Sequence, residues 1–108
     1  MENERLVVFV MVPPGDLPVQ IAQALVAEGL AACVNIVGPI RSIYFWDGAV
    51  QDEAEQWLVI KTTGDRYAAL ETRVRELHTY EVAEVLALKI DRGAPDYLTW
   101  VTDMCHRS

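Results

Sequence analysis

The dipeptide Asp47-Gly48 constrains this chain more than any other feature. Aspartate followed by glycine is what a two-residue hairpin turn demands, because both central residues take positive φ. Strand-forming residues flank it, 31–37 and 40–46 leading in and 49–62 leading out. A turn of set length also sets register. Without bulges it predicts Tyr44 opposite Gln51, Val34 opposite Lys61 and Cys33 opposite Thr62. Gly38-Pro39 interrupts the first arm and marks a kink or bulge. These arms run well past a usual strand of about five or six residues, and a bare two-stranded ribbon is marginal in water. Its tip carries Tyr44, Phe45 and Trp46. Exposed aromatics on such an arm invite aggregation, so something must cover them. A second copy of the chain is the simplest cover, and head-to-tail pairing of edge strands closes into a ring.

The other elements fall on either side. Residues 6–12 are apolar at odd and even positions alike, which predicts a central strand covered on both faces. Asp16 is placed to cap a helix and Pro18 falls in its first turn. Ile21 with Leu25, and Ala22 with Val26, recur at helical spacing until Gly29 stops the helix. Gly64-Asp65 opens a second helix with Tyr67, Leu70, Val74 and Leu77 on one face. Residues 85–90 read as a fourth strand. Pro95 starts a third helix with Tyr97, Leu98, Trp100 and Val101 on its apolar side. The order βαββαβ plus a helix predicts an α+β, ferredoxin-like sandwich with a long protruding hairpin. The first and third strands are expected to be central and parallel, the second and fourth to be edges. A length of 108 residues fits a single domain, 1–108.

Charge and composition exclude several functions. A net charge of −7 opposes phosphate backbones and anionic membranes, so neither nucleic acid nor a membrane is an expected partner. An apolar content of 52% is high for a small monomer and points to a buried subunit interface. The only cysteines, Cys33 and Cys105, form neither a disulfide framework nor a CxxC site. The N-terminal Met1-Glu2-Asn3-Glu4-Arg5 forms no basic n-region, and the apolar run behind it is too short for a signal core or a membrane span. A cytoplasmic location follows as an expectation.

Polar chemistry concentrates in His78-Thr79-Tyr80-Glu81-Val82-Ala83-Glu84, between the second helix and the fourth strand. On the expected topology Met11, Cys33, Asn35, Lys61, Thr62, His78, Tyr80, Glu81 and Glu84 gather at one sheet edge, with the hairpin tip at the opposite end. His78 and Glu84 lead as metal ligands, with Glu81 and Met11 behind them. The opposing reading makes His78 a helix C-terminal partner of the macrodipole and the two glutamates ion-pair partners of Lys61, Arg41 or Arg73. Lys61, Tyr80, Asn35 and Glu81, with Trp46 from a neighbour, are the candidates for a ligand cleft between subunits. Ser42, Tyr44, Trp46, Trp57 and Trp100 are assigned to the subunit interface. Cys33 reads as a packed apolar residue and Cys105-His106 as a frayed tail. No catalytic residue is assigned. Ser42 and His78 are expected at opposite ends of the sheet with no orienting acid, and no P-loop or GxGxxG is present.

Over nearly its whole length the chain resembles the CutA family of divalent-cation tolerance proteins. The likeness is carried by Leu30-Ala31-Ala32-Cys33-Val34-Asn35, by Ser42, Tyr44, Trp46, Gly48 and Glu55, and by Lys61-Thr62-Thr63. It continues through His78, Tyr80-Glu81-Val82, Glu84, Tyr97-Leu98 and Trp100. The resemblance implies a homotrimer with intersubunit sheets, association with copper or another divalent cation, no organic cofactor and no enzymatic activity. The chain departs from the family pattern at Thr79 and Ala83, where prolines are usual, and at Met11, where some relatives carry a thiol. A thioether binds Cu(II) more weakly than a thiolate does. Three functions stay open: modest cation binding in divalent-cation tolerance, small-molecule sensing in an intersubunit cleft, and non-catalytic scaffolding.

Overall fold

A computed structural model describes residues 4–107. The N-terminal reading over residues 1–5 therefore lies partly, at Met1-Glu2-Asn3, outside the described residues. The elements run β1 (Arg5–Val12), α1 (Leu17–Ala27), β2 (Cys33–Trp46), β3 (Ala49–Thr63), α2 (Tyr67–Leu77), β4 (Val85–Lys89) and α3 (Pro95–Met104). A 3-10 turn, Gly64–Arg66, leads into α2. The four strands form one sheet in the order β2-β3-β1-β4, and each neighbouring pair is antiparallel. The class is α+β.

Two expectations about the sheet are corrected. β1 and β3 are antiparallel, with Met11 opposite Trp57 and Val7 opposite Lys61. The chain reverses at Asp47-Gly48, so β3 returns between β1 and β2 and runs against both. β1 is also not covered on both faces. Its even residues are buried, whereas Arg5, Val7, Phe9 and Met11 are only half-buried. Val8, Val10 and Val12 meet Leu58 and Ile60 of β3, Ile21 and Leu25 of α1, and Leu70 and Val74 of α2. These side chains are fully buried, each contributing roughly 1.5–3 kcal/mol. On the opposite face Phe9 packs edge-on against Trp57 at 5.2 Å. Leu86 and Leu88, across from Phe9 and Val7, are exposed. α3 reaches this face at one end, where Arg5 Nε donates to the Leu98 carbonyl at 3.2 Å and to Thr102 Oγ1 at 3.1 Å.

α1 ends at Gly29, whose φ of +73° is open to glycine at little cost. Its N–H reaches the Val26 carbonyl while the Leu30 N–H reaches the Leu25 carbonyl, the paired bonds of a Schellman stop.

The hairpin turn forms as predicted. Asp47 has φ 55° and Gly48 φ 77°, and Tyr44 lies opposite Gln51. The break at Gly38-Pro39 is a bulge in which these two residues stand against Gln56 alone. A side chain at position 38 would put its Cβ 2.9 Å from Gln56 Cγ, so glycine fits where a larger residue would not. The bulge shifts the inner half of the pairing by one residue, to Cys33 opposite Lys61 and Val34 opposite Ile60. β1 pairs with β3 only as far as Gln56. Beyond that point the hairpin is a two-stranded arm, and it projects from the end of the sheet that holds Met11.

Candidate functional site

Antiparallel pairing divides the residues expected to cluster. Lys61, Cys33 and Asn35 lie towards the β1 end that holds Arg5 and Val7. Lys61 Nζ bonds to Asn35 Oδ1 there, and Thr62 Oγ1 donates to the Leu30 carbonyl at 2.7 Å. Cys33 is half-exposed and unpaired by disulfide, and Cys105 is buried. Met11, Tyr80, Glu81 and Glu84 lie at the other end, the end from which the arm projects.

At that end Met11, Tyr44, Trp46 and Glu55 face Tyr80, Glu81, Val82 and Glu84 across a recess of about 260 Å³. Four of these residues come from the sheet and arm, and four from the loop between α2 and β4. Tyr44 and Trp46, placed by the sequence at the far end of the sheet, are therefore beside Met11. They belong to the same chain as Tyr80, so a neighbour is not needed to supply Trp46.

His78 positions the loop. It closes α2, donating its backbone N–H to the Val74 carbonyl at 2.8 Å, and then turns extended. Its ring is nearly buried, at 9% exposure. Nδ1 accepts the Tyr80 N–H at 3.1 Å. Nε2 therefore carries the proton and donates to the Met11 carbonyl at 2.7 Å. Both nitrogens are committed, which leaves no lone pair free for a metal. The sequence ranks His78 first among metal ligands; in the structure it is a clamp between α2 and β1. Ser42 does not line the recess and pairs across the arm with Glu53.

Tyr80 lies on His78, ring centroids 4.6 Å apart, and donates its hydroxyl to Glu55 Oε2 at 2.7 Å. Burial first, then the bond to Glu55 and the Glu55 charge, hold the phenol protonated well above its ordinary range. Glu55 is only 6% exposed. It is the site residue to which the sequence assigns no role. Its signal in the sequence is only its place among the residues that carry the family resemblance, beside the acidic Asp52 and Glu53 of the same arm. Glu84 stays open at the rim, yet partial burial and then the Glu55 charge raise its carboxyl above the usual range. Among the described residues Glu55, Glu81 and Glu84 have no basic partner. Arg41 pairs with Asp52, and Arg73 with Glu28 and Glu76. No group of three or more His, Cys, Asp or Glu side chains suited to holding a metal occurs among the described residues.

The residues assigned to an interface separate. Tyr44 and Trp46 line the recess. Trp57 lies on the open sheet face against Phe9. Trp100 is exposed on α3 beside Tyr97, centroids 5.6 Å apart. The tail is tied down rather than frayed. His106 Nδ1 donates to the Thr102 carbonyl and Nε2 to Asp65 Oδ2, each at 2.7 Å.

The chain matches the family model described as CutA1 divalent ion tolerance protein over residues 6–104. It is 45% identical over 97 residues to the divalent-cation tolerance protein CutA of Thermus thermophilus, covering 90% of this chain and 94% of that protein. It is 44% identical over 96 residues to the protein CutA homolog of Xenopus laevis, covering 89% of this chain. Against this and the mouse and rice relatives, the chain spans 64%, 52% and 58% of their own lengths. The crystal structure of CutA1 from Oryza sativa superimposes with a TM-score of 0.93 at 42% identity, covering 97% of this chain and 96% of that one.

Proposed function

Because the chain belongs to the CutA1 divalent ion tolerance family, we propose that it acts in divalent-cation tolerance as a non-catalytic, cytoplasmic homotrimer with one CutA-like, ferredoxin-like domain per subunit. Copper is the leading ion, with other divalent cations of the same class behind it. The observation that carries the reading is the convergence of Glu55, Glu81 and Glu84 on one recess with no basic partner among the described residues. Three carboxylates held this way create a negative potential that draws cations. Partial burial first, and the Glu55 charge second, raise the Glu84 carboxyl.

The donor set decides how a metal is held. With His78 committed to Met11 and Tyr80, the available donors are carboxylate oxygens and the Met11 thioether. These residues form no preformed coordination shell among the described residues; they would draw a divalent ion loosely, micromolar or weaker, rather than hold it in a tight imidazole site. Glu84 leads, supported by Glu81 and Met11. Trimer formation is supported by the open sheet face, with Leu86 and Leu88 exposed, and by the arm, where Phe45 is 71% exposed. Apolar surface of this extent is what a subunit interface covers. The cysteines, unpaired by disulfide, suit a reducing compartment.

Calorimetric titration of the metal-free protein with Cu(II) and Zn(II) tests the cation reading. Weak saturable binding, lost in Glu84→Gln and kept in His78→Ala, supports it. Absence of saturable binding, or binding indifferent to Glu84→Gln, overturns it.

A further inference from the structure

Glu55 is more than nine-tenths buried, and no basic side chain pairs with it among the described residues. A carboxylate removed from water without a positive partner is costly. The Tyr80 hydroxyl satisfies Oε2, but a hydroxyl dipole does not neutralise a charge. Glu55 lines the recess, so a cation that enters from solution meets its carboxylate there.

The walls define which cation fits. Tyr44, Trp46 and Tyr80 supply three aromatic rings, and Met11 adds a thioether. Aromatic rings attract cations through their quadrupole and methyl groups through dispersion. They do not replace the hydration of a small, hard ion, which needs six or more oxygen ligands. A primary ammonium is likewise a compact, strongly hydrated charge with three N–H groups to satisfy. An N-alkylated ammonium spreads its charge over apolar groups and sheds water at lower cost. Carboxylates at the rim and floor then supply the charge, and the rings supply the contact. A volume of about 260 Å³ limits the ligand to a compact head group.

From this geometry we infer that the recess between the arm and the 80–84 loop is a binding site for a small N-alkylated ammonium cation, with Trp46, Tyr44 and Tyr80 as the cage and Glu55 as the counter-charge. The inference rests on the shape and lining of the recess, not on the metal reading, although Glu84 borders both.

The test is a heteronuclear NMR titration of the intact protein with tetramethylammonium, methylammonium and tert-butanol, at constant ionic strength against sodium chloride. Tert-butanol is a neutral molecule of similar bulk and methylammonium keeps the charge without the alkyl shell. The expected result is saturable binding of tetramethylammonium that shifts the Trp46 indole, with methylammonium and tert-butanol each weaker. Trp46→Leu and Tyr44→Leu change exposed side chains, so the fold survives; each is expected to weaken binding about three- to thirty-fold. Equal or tighter binding of either control overturns the inference, as does the absence of any saturable response. Binding unchanged in both aromatic variants overturns it as well. The divalent-ion reading is judged separately on Glu84→Gln, so either proposal can fail without the other.

Discussion

The His78 ring joins the end of α2 to the end of β1 through a 2.7 Å bond from Nε2 to the Met11 carbonyl. The other ring nitrogen holds the Tyr80 N–H. One buried side chain thus anchors the loop that forms half of the recess. His78→Ala removes two hydrogen bonds and leaves a carbonyl and an amide unsatisfied. It is expected to cost about 2 kcal/mol, read as a lower denaturation midpoint, while any cation binding persists once the protein is folded. A variant as stable as the parent would mean that the clamp carries no energy.

Tyr80→Phe tests the bond to Glu55. Loss of the hydroxyl leaves a buried carboxylate short of its donor, at a cost of about 1–3 kcal/mol. Glu55→Gln in the same chain removes the charge and should recover part of the loss. A double-mutant cycle on the two positions is expected to show strong coupling; additive effects would show that the 2.7 Å contact is energetically idle.

The His106–Asp65 pair gives a pH dependence. Both His106 nitrogens face acceptors, and the bond to Asp65, then that to Thr102, raises its pKa. The Thr63 hydroxyl first and His106 second lower that of Asp65. A raised histidine stabilises below its unfolded value, about 6.5, and the gain disappears as pH rises through the folded value. A lowered aspartate stabilises above its unfolded value, about 3.9, and loses that as pH falls. The pair therefore helps most between the two, near pH 5. The melting difference between wild type and His106→Ala should be larger at pH 5 than at pH 8.5. Both groups are well exposed, so the effect is small. An equal difference at the two pH values would exclude a charged pair.

Leu88→Asp separates fold from assembly. Leu88 is exposed on the open sheet face, so within one chain the change should stay within about 0.5 kcal/mol. In a trimer that covers this face it would bury three unpaired charges. Sedimentation velocity is expected to show dissociation, with the circular dichroism of the fold retained. A variant that sediments like wild type would place the subunit contact elsewhere.

Local chemistry was legible in the sequence, and relative direction was not. Asp47-Gly48 determined the turn and the pairing of Tyr44 with Gln51, because turn geometry depends on two residues. The helix stop at Gly29 and the break at Gly38-Pro39 were equally local. The sense of β3 relative to β1 depends on how strands sort within the sheet. Taking them as parallel sent Lys61 and Asn35 to the recess and Tyr44 and Trp46 away from it. His78 looked like a ligand because its partners, a carbonyl on β1 and an amide two residues on, leave no trace in residue type. Glu55 went unassigned because its hydrogen-bond partner, Tyr80, lies 25 residues later in the chain.

The bulge at Gly38-Pro39 changes the count of residues along β2 but not the side they face. Along β3, Trp57 and Glu55 face the side that carries Met11. Inside the bulge the odd residues of β2 share that side, as Val37 does opposite Trp57; outside it the even residues do, as Ile40 does opposite Glu55 and Tyr44 opposite Gln51. One added residue thus exchanges odd for even in number along β2, while the pairing of Tyr44 with Gln51 and of Trp46 with Ala49 sets both rings on the side of Met11 and Glu55. Removing one residue between Val37 and Ile40 would close the bulge with Val37 still opposite Trp57 and Tyr44 still opposite Gln51, so both rings would keep their side. The two-residue turn, by fixing which residues of the arm stand opposite one another, orients the walls of the recess from beyond them.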